Sequence, residues 1–538
     1  MTYRWKEKMK ILKDKISLIK YGAMALAAVT LLASVLFFVI WPDNLMHSDM
    51  AAEVLLSKLL AEEGGLMSTN WFYSTELRVV YTQLVMTPLF LVISDYGIVK
   101  LVSVIILDVL LAVAFYFTAK EFGLKGASLY LVMALLLTPL SNEYFDMMLI
   151  GNFYTCQAIC TFLVLKFFFK FMKEKTAEKK DAKVKMWLGL ALMAMVALIL
   201  GLSGLRYLAS LYLPLVAAFC FSYVFDNKEE RASKLFSALL TSVGLLGFAG
   251  IGFLINKYYL ADIYTFDSQA VQFLPLSEVP ARFLTSIKLM LEFCGYREVG
   301  VVTSLGIVNV VKFAFFVFVV YVVVDLTKRR YEILDNKQRL FLYYFLALFV
   351  INWYMLVFTD VLPQYRYWLP VYIIAVILIG IWFGQAKPKS EFLKPALAVL
   401  AVITVFASLY GELWQAAKYN DCEKRYGYME FLEENDYTFG YATFWNSGVT
   451  EYLSNGEIEV GHLGGNENGS APYEWLSPKY YYQEGYHEGK TFLLLAVTEE
   501  PALYQGDITV MQDFVKVYED QYYVIYEGEG MHLFSEGD

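Results

Sequence analysis

YGAMALAAVTLLASVLFFVIW, residues 21–41, places this chain in a membrane. The stretch carries no charge, and at about 1.5 Å per residue a helix of this length crosses about 30 Å of hydrocarbon. Only helices and closed barrels satisfy every backbone polar group inside lipid, and an unbroken apolar run indicates the helix. Seven basic residues precede it within residues 1–20, and WPDNLMHSDM at its end offers no small-residue cleavage site. We therefore interpret the stretch as a retained first span and not as a signal peptide.

The rest of the chain has the same composition as this stretch. Of its 538 residues 58% are hydrophobic and 18% are charged, whereas soluble globular proteins have about 45–50% apolar and about 25% charged residues. The predicted fold class is mainly α: a polytopic helical membrane protein of about eleven spans with a small α/β domain at the C-terminus. The predicted spans are residues 21–41, 98–119, 125–140, 152–172, 186–203, 207–225, 235–256, 305–327, 340–358, 367–384 and 394–412.

The distribution of basic residues predicts the orientation of these spans. If the N-terminus is cytoplasmic, the cytoplasmic segments hold 28 of the 44 Lys and Arg residues, and the outer connections hold eight. This asymmetry is the positive-inside pattern of plasma-membrane proteins. It places the C-terminal segment outside the cell. The charges flank helices and form no basic stripe with interleaved aromatic residues, so no nucleic-acid partner is expected.

Two outer connections, residues 42–97 and 257–304, are too long to be simple turns, and long structured loops are often functional. In the first, apolar residues at helical spacing predict a helix over 51–60 that lies on the membrane interface and ends at Gly64. The run from Arg78 to Ile93, which contains Pro88, predicts a second interfacial or partly re-entrant helix.

Residues 413–538 differ sharply from the spans and predict a small extracytoplasmic α/β domain, separate from a membrane module over residues 1–412. Strand-like and helix-like runs alternate there. The predicted strands are 437–445, 457–463, 490–497 and 521–528, and the predicted helices are 418–434 and 448–453.

Acidic residues at the outer interface are the candidates for general acid–base chemistry. Asp49, in His47-Ser48-Asp49 directly after the first span, is the first of them. The alternative is that Asp49 only caps the helix that follows, a position for which Asp is well suited. Further candidates beside the acceptor are His47, Glu76, Glu143 and Asp146.

Arginines at the outer helix mouths are candidates for binding a phosphate. Arg206 stands after span five, and Arg366 stands in QYRYWLP before span ten, with Tyr365 beside it. A guanidinium fork binds phosphate through paired hydrogen bonds. The alternative is that these arginines reach lipid headgroups within an aromatic belt. Weaker candidates are Arg78, Arg282, Lys257, Lys288 and Arg297. Lys312 is a charged residue inside span eight, and the sequence offers no explanation for its position.

Three of these features together resemble the GT-C superfamily of membrane glycosyltransferases, which includes protein mannosyltransferases and lipid A aminoarabinose transferases. They are the acid after the first span, in HSDMAAEVLLSKLL, the long first outer loop, and the late YRYWLP segment. The resemblance covers about residues 1–412. Many members of the superfamily have a pair of acids in the first loop, whereas here His47 stands two residues before Asp49. Asp43 is the other nearby acid, at a different spacing.

The resemblance implies an inverting transferase that moves a sugar from a polyprenyl phosphate to a hydroxyl of a glycan, lipid or protein, in the synthesis or decoration of a cell-envelope glycan. Asp49 would be the base, and Arg366 and Arg206 would bind the phosphate, with the carboxylate and the guanidinium groups converging on one pocket. No metal-ligand spacing appears in the sequence, so a divalent metal cofactor is not supported.

Three alternatives compete with the transferase. A flippase for a lipid-linked oligosaccharide would show two related halves, and no such duplication is found. A polysaccharide polymerase or ligase would have its elaborate loop late in the chain, whereas here the first loop is the elaborate one. A non-catalytic membrane protein would use its outer domain to bind a partner. The sequence identifies neither the sugar nor the acceptor.

Overall fold

A computed structural model describes residues 2–174, 180–226, 232–266, 271–388, 390–466, 469–483, 485–500 and 514–529. Helices form most of this part of the chain. The α-helices are α1 (Thr2–Ile40), α2 (Ser48–Glu63), α3 (Gln83–Phe90), α4 (Tyr96–Glu121), α5 (Gly126–Leu136), α6 (Asn142–Tyr144), α7 (Thr155–Glu174), α8 (Lys180–Gly201), α9 (Leu213–Phe225), α10 (Ala232–Leu254), α11 (Val279–Phe293), α12 (Ser304–Lys328), α13 (Arg330–Ile333), α14 (Asn336–Phe358), α15 (Leu369–Gln385), α16 (Leu393–Ser408), α17 (Tyr426–Glu434) and α18 (Phe444–Leu453).

Short helical segments of other types and eight strands complete the secondary structure. The π-helices are Phe145–Ile150, Leu208–Tyr212, Ile255–Leu260 and Leu409–Trp414, and the 3₁₀-helices are Tyr365–Trp368, Asp421–Arg425 and Lys479–Tyr482. The strands are β1 (Trp71–Phe72), β2 (Phe439–Thr443), β3 (Glu459–Asn466), β4 (Gly469–Pro472), β5 (Ser477–Pro478), β6 (Lys490–Ala496), β7 (Val515–Glu519) and β8 (Tyr523–Glu529).

The predicted spans correspond closely to helices of the structure. Within the described residues, nine helices are long and apolar enough to cross a membrane, and each coincides with a predicted span. The predicted spans 125–140 and 186–203 are shorter apolar helices, Gly126–Leu136 and Met186–Gly201. The first of these ends early because Pro139 follows, and the residue before a proline disfavours the helical conformation. The fold class is therefore a polytopic helical membrane protein with a small β-sheet region at the C-terminus.

Packing divides the chain into two compact units. The first unit comprises residues 1–37, 104–255 and 270–415, and the second comprises residues 38–103, 256–269 and 416–538. The second unit thus combines the C-terminal α/β residues with the whole of the first long loop.

Helix α15 forms the centre of the first unit. Every residue from Val371 to Trp382 is buried, and α15 packs against α5, α12 and α14. Helices α8 and α10 approach each other closely at Gly201 and Gly252, where a Cβ atom would lie 2.1 Å from a carbonyl oxygen of the facing helix. Small residues permit such close approach between membrane helices, which pack by van der Waals contact because lipid offers no hydrophobic driving force.

A six-stranded sheet, in the order β4-β3-β2-β6-β8-β7, forms the core of the second unit. Strand β2 lies parallel to β3 and β6, and the other neighbours are antiparallel. The four predicted strands are β2, β3, β6 and β8, and the two predicted helices are α17 and α18. The short strands were not predicted: β1 in the first loop pairs with β5, about 400 residues later in the sequence.

Helix α2 exists and ends at Gly64, as predicted, but the prediction that it lies on the membrane interface is wrong. Gly64 has the left-handed conformation (φ 69°) that terminates a helix. Nearly all residues from Met50 to Leu60 are buried, because α2 packs against α3 and α18 within the second unit. The polar residue in its middle, Glu53, is buried with the apolar ones.

The second predicted loop helix is shorter than expected. The sequence predicts a helix from Arg78 to Ile93, whereas α3 runs only from Gln83 to Phe90. A helix starting at Arg78 would have its carbonyl accept from the backbone N–H of Thr82. Instead, the side-chain amide of Gln83 donates to that carbonyl at 2.7 Å. This local side-chain bond replaces the first helical turn.

The second unit contains a buried carboxyl group, Glu451 on α18. Its side chain accepts hydrogen bonds from the Tyr481 hydroxyl at 2.8 Å and from the Val460 N–H at 3.2 Å. Burial raises the pKa of Glu451 to about 8, although both hydrogen bonds favour the charged form. The carboxyl group is therefore largely protonated at neutral pH.

We expect the stability of the protein to depend on pH through Glu451. Its pKa is about 4.5 in the unfolded chain and about 8 in the folded one, so the folded state binds more protons between these values. Its contribution is fully present below about pH 4.5 and is lost as the pH rises to 8, by at most about 1.4 kcal/mol per pH unit. The Glu451→Gln variant should lose this dependence.

The measurement is the thermal unfolding midpoint of the full chain in detergent at pH 5, 6.5 and 8. The midpoint of Glu451→Gln should rise relative to that of the original protein as the pH increases. Glu430→Gln, on the exposed face of α17, is the control for the loss of one carboxylate. A midpoint difference for Glu451→Gln that is constant over this pH range would contradict the prediction.

Candidate functional site

Asp49, the predicted general base, lies in the first turn of α2. His47 occupies the N-cap position in an extended conformation and makes no side-chain cap hydrogen bond. Asp49 is half-buried, and its charge acts on Glu53 and on Tyr473, both in the second unit. A carboxylate in a first turn is stabilised by the helix dipole. A carboxylate at this position can accept the hydrogen bond of a hydroxyl group, as a general base must.

Glu53 is a second carboxyl group beside Asp49, and the sequence analysis missed it as a site residue. It stands four residues later on the same helix face and is fully buried. The Thr82 hydroxyl donates to its Oε2 at 2.9 Å. Burial raises the pKa of Glu53, Asp49 raises it further, and the cations Arg78 and Lys100 oppose both effects. The i, i+4 spacing of two acids in HSDMAAE was the available signal.

The candidates Glu76 and Arg78 lie near one another in this unit. The Nε atom of Arg78 is 3.6 Å from Oε2 of Glu76, and its Nη1 donates to the Tyr81 hydroxyl at 2.8 Å. The guanidinium also covers the ring of Tyr81, 4.7 Å from the ring centroid. Arg78 also acts on the charge of Glu53. It therefore lies among two carboxyl groups, those of Glu53 and Glu76.

Three of the other candidates come together in the first unit: Arg366, Tyr365 and Glu143. The 3₁₀-helix Tyr365–Trp368 presents Tyr365 and Arg366 at the start of α15, and Glu143 lies on α6. Nη1 of Arg366 lies 3.9 Å from Oε1 of Glu143, and Tyr365 also contacts that carboxylate. Asp146 contributes a further negative charge at Tyr365. The Arg366 side chain is 35% exposed, and 3.9 Å is too long for a direct hydrogen bond. The guanidinium is therefore oriented by Glu143 and can still take an anion.

Arg206 and Arg282, two further arginine candidates, have different surroundings. The Arg206 guanidinium lies 4.8 Å from the ring centroid of Tyr154, a cation–π geometry. Tyr154 and Pro370 line the same small cavity. Because Arg206 contacts Tyr154 and Pro370 belongs to α15, Arg206 lies near the start of α15. Nη1 of Arg282 donates to the Val361 carbonyl at 3.2 Å and so joins α11 to the segment before the 3₁₀-helix. Arg282 thus has a structural contact that the sequence did not indicate.

Similarity to known proteins is limited to the fold. No protein-family model and no curated protein matches the chain. A crystal structure of the Archaeoglobus fulgidus oligosaccharyltransferase in the apo form is similar to it, with a TM-score of 0.50 and 11% sequence identity, over 96% of this chain and 75% of that one. The fold is GT-C-like. This agrees with the resemblance found in the sequence at the level of the class and does not assign a subtype.

Within this GT-C-like fold, Lys312 acquires an explanation. Its Nζ lies 2.7 Å from Oε1 of Glu412, and both side chains are fully buried. Oε2 of Glu412 pairs with Arg297, whose Nη2 also donates to Oδ1 of Asn142 at 2.8 Å. Lys312 donates as well to the Leu140 carbonyl. We call Arg297, Lys312 and Glu412 the ion triad. Arg297, a weak phosphate candidate in the sequence, is a member of it.

The candidates are distributed over both units. Asp49, Glu53, Glu76 and Arg78 belong to the second unit, and Arg366, Arg206 and Glu143 belong to the first. The expectation that Asp49 and Arg366 converge on one pocket stays a prediction. In the described part of the chain, no group of three or more His, Cys, Asp or Glu residues could hold a metal ion.

Proposed function

We propose that the protein is a GT-C-type glycosyltransferase that moves a sugar from a polyprenyl-phosphate donor to an acceptor hydroxyl at the outer membrane face. The observation that carries the proposal is the similarity to an oligosaccharyltransferase fold over nearly the whole chain, on which Asp49 stands in the first helix after the first span. An apolar, nine-helix membrane part in the described residues suits a lipid-linked donor.

Asp49 is assigned the role of general base. As the acceptor oxygen forms its bond to the anomeric carbon, the hydroxyl proton passes to the Asp49 carboxylate. The bond between that carbon and the phosphate oxygen breaks, and its electron pair leaves with the polyprenyl phosphate. Attack opposite the leaving group inverts the anomeric centre, by the geometry of inverting glycosidases. Glu53, four residues later on the same helix face, is a second carboxyl group close to this base.

Arg366 is assigned to the departing phosphate. The leaving group gains negative charge as the bond breaks, so fixed cations stabilise it more than the ground state. A partly exposed guanidinium, oriented by Glu143 at 3.9 Å and flanked by Tyr365, is suited to this role. Arg206, whose guanidinium lies against the ring of Tyr154, is assigned as a second cation for the same donor.

Reconstitution in liposomes tests the proposal against its alternatives. Purified protein is mixed with polyprenyl-phosphate sugars and with cell-envelope extract as a source of acceptors. Release of polyprenyl phosphate together with a sugar product of inverted configuration supports the transferase. Movement of the intact donor between leaflets without cleavage would indicate a flippase. If neither cleavage nor movement of the donor is observed, the partner-binding protein is the alternative that is left. A pyrophosphate-linked donor as the sole substrate would indicate a polymerase or ligase.

We expect Arg366→Ala to weaken donor binding by about 10- to 100-fold, because a charge-assisted contact to phosphate contributes about 1.5–3 kcal/mol. The Michaelis constant for the polyprenyl-phosphate sugar should rise, and Arg366→Lys should recover only part of the loss because Lys lacks the planar fork. Arg282→Ala is the matched control, since that guanidinium bonds a backbone carbonyl. Unchanged donor affinity in Arg366→Ala would remove the phosphate assignment.

A further inference from the structure

We propose that four aromatic side chains of the second unit, Phe444, Trp445, Tyr473 and Trp475, bind a sugar ring of the acceptor, so that the acceptor is a carbohydrate. We call these four residues the aromatic row. That the bound sugar is the acceptor rests on the proposed function. The binding itself does not depend on it.

The rings of the aromatic row follow one another across the surface. Trp445 and Phe444 lie 5.1 Å apart between ring centroids, and Phe444 and Tyr473 lie 6.1 Å apart, both edge to face. Tyr473 and Trp475 are stacked at 6.3 Å with an angle of 25°. Trp445 is 61% exposed and Tyr473 is 41% exposed. Large aromatic rings normally bury most of their surface, so this exposure leaves ring faces available to a ligand.

The backbone holds the Tyr473 end of the row rigidly. Tyr473 N donates to the His462 carbonyl at 2.8 Å, and Trp475 N donates to the Tyr473 carbonyl at 2.7 Å. The buried His462 ring donates from Nδ1 to the Trp475 carbonyl, also at 2.8 Å. The next residue, Leu476, has a φ of 52°, a strained conformation for a leucine. Strain of this kind persists where the surrounding structure enforces it, which is common at functional sites.

The other end of the row, Phe444 and Trp445, lies at the start of α18 and is also held in place. Arg425, which is itself buried, donates to the Trp445 carbonyl at 3.3 Å. A Cβ atom added at Gly448, one turn later, would lie only 3.7 Å from Cβ of Ala51, so α18 lies close against α2 here. The row is thus preorganised at both ends, so that binding a ligand orders few side chains and loses little entropy.

The charges around the row select its occupant. Asp49 lies close enough to Tyr473 to raise the pKa of that phenol, although burial contributes more. Glu474, between two rings of the row, is exposed. Carboxylates accept hydrogen bonds from hydroxyl groups, and a pyranose offers hydroxyls around its edge and C–H groups on its faces. The anionic surface of a membrane instead attracts Lys and Arg. A neutral sugar therefore fits this surface better than lipid headgroups do.

Binding of neutral hexasaccharides of glucose and of N-acetylglucosamine to the full chain in detergent tests the inference. Calorimetry should show saturable binding of at least one of them. Trp445→Ala and Tyr473→Ala should each weaken it by about tenfold or more, the loss expected when one ring face is no longer buried. Tyr522→Ala is the matched control, because Tyr522 is 40% exposed in the same unit and lies outside the row.

Each outcome separates this inference from the proposed function. Binding that is lost in both variants supports the row, whether or not the protein transfers sugar. Absence of saturable binding to either hexasaccharide, or equal affinity in all variants, overturns the inference, even if polyprenyl phosphate is released in liposomes. The fluorescence of Trp445 is the difference in fluorescence between the original protein and Trp445→Phe. If brominated lipid quenches it, the row lies in the membrane interface, and this result would also overturn the inference.

Discussion

Replacing Asp49 by asparagine is expected to abolish sugar transfer and to leave binding of the polyprenyl-phosphate donor intact. The amide keeps the size and shape of the carboxylate but does not accept the acceptor proton, and a positioned general base contributes about 10²- to 10⁴-fold in rate. Asp49 stands in the first turn of α2 and is half-buried, so the variant should still fold. The measurements are the initial rate of polyprenyl phosphate release and the equilibrium binding of radiolabelled donor.

Two further variants make this test specific. Asp43→Asn removes another acid that follows the first span, whose Oδ2 accepts a hydrogen bond from the Tyr426 hydroxyl at 3.1 Å. It should keep most of the activity. Glu53→Gln should lower the rate less than Asp49→Asn, because Glu53 is fully buried and bonded to Thr82. If Glu53→Gln abolishes transfer while Asp49→Asn does not, the base is Glu53.

The fold class could be predicted from the sequence because its signals are local. An apolar run of span length identifies a membrane helix without knowledge of its neighbours. The same holds for the end of α2 at Gly64, since left-handed glycine terminates helices. Short, nearly continuous apolar runs likewise indicated β2 and β6.

The features that sequence analysis missed depend on residues distant in the chain. Helix α2 is buried because it packs against α18, which lies about 400 residues later in the sequence. The sequence pattern of a helix with interspersed polar residues does not distinguish a helix on a membrane interface from one in a protein core. From the sequence alone, Glu53 therefore has the pattern of a polar residue at that interface. The four rings of the aromatic row come from two separated segments, so that only the folded sheet places them side by side.

The ion triad gives the largest expected effect on stability. Lys312 and Glu412 are fully buried, and Glu412 is the shared anion of two cations. Glu412→Gln would leave Lys312 and Arg297 without it, and breaking a buried ion pair by removing one partner costs about 3–5 kcal/mol. We expect a large drop in the thermal unfolding midpoint of the full chain in detergent. Glu298→Gln, which breaks the exposed pair with Lys288, is the control and should change the midpoint little.

The second partner distinguishes a buried charge effect from a simple loss of packing. Lys312→Met fills similar space and leaves Glu412 paired with Arg297, so it should destabilise less than Glu412→Gln. In the double variant, Lys312, the fully buried one of the two cations that Glu412→Gln leaves uncompensated, is gone. The double variant should therefore be more stable than the sum of the single changes predicts, with a coupling of about 1–3 kcal/mol. Strict additivity would mean that the triad contributes through shape alone and that its charges are matched by other groups.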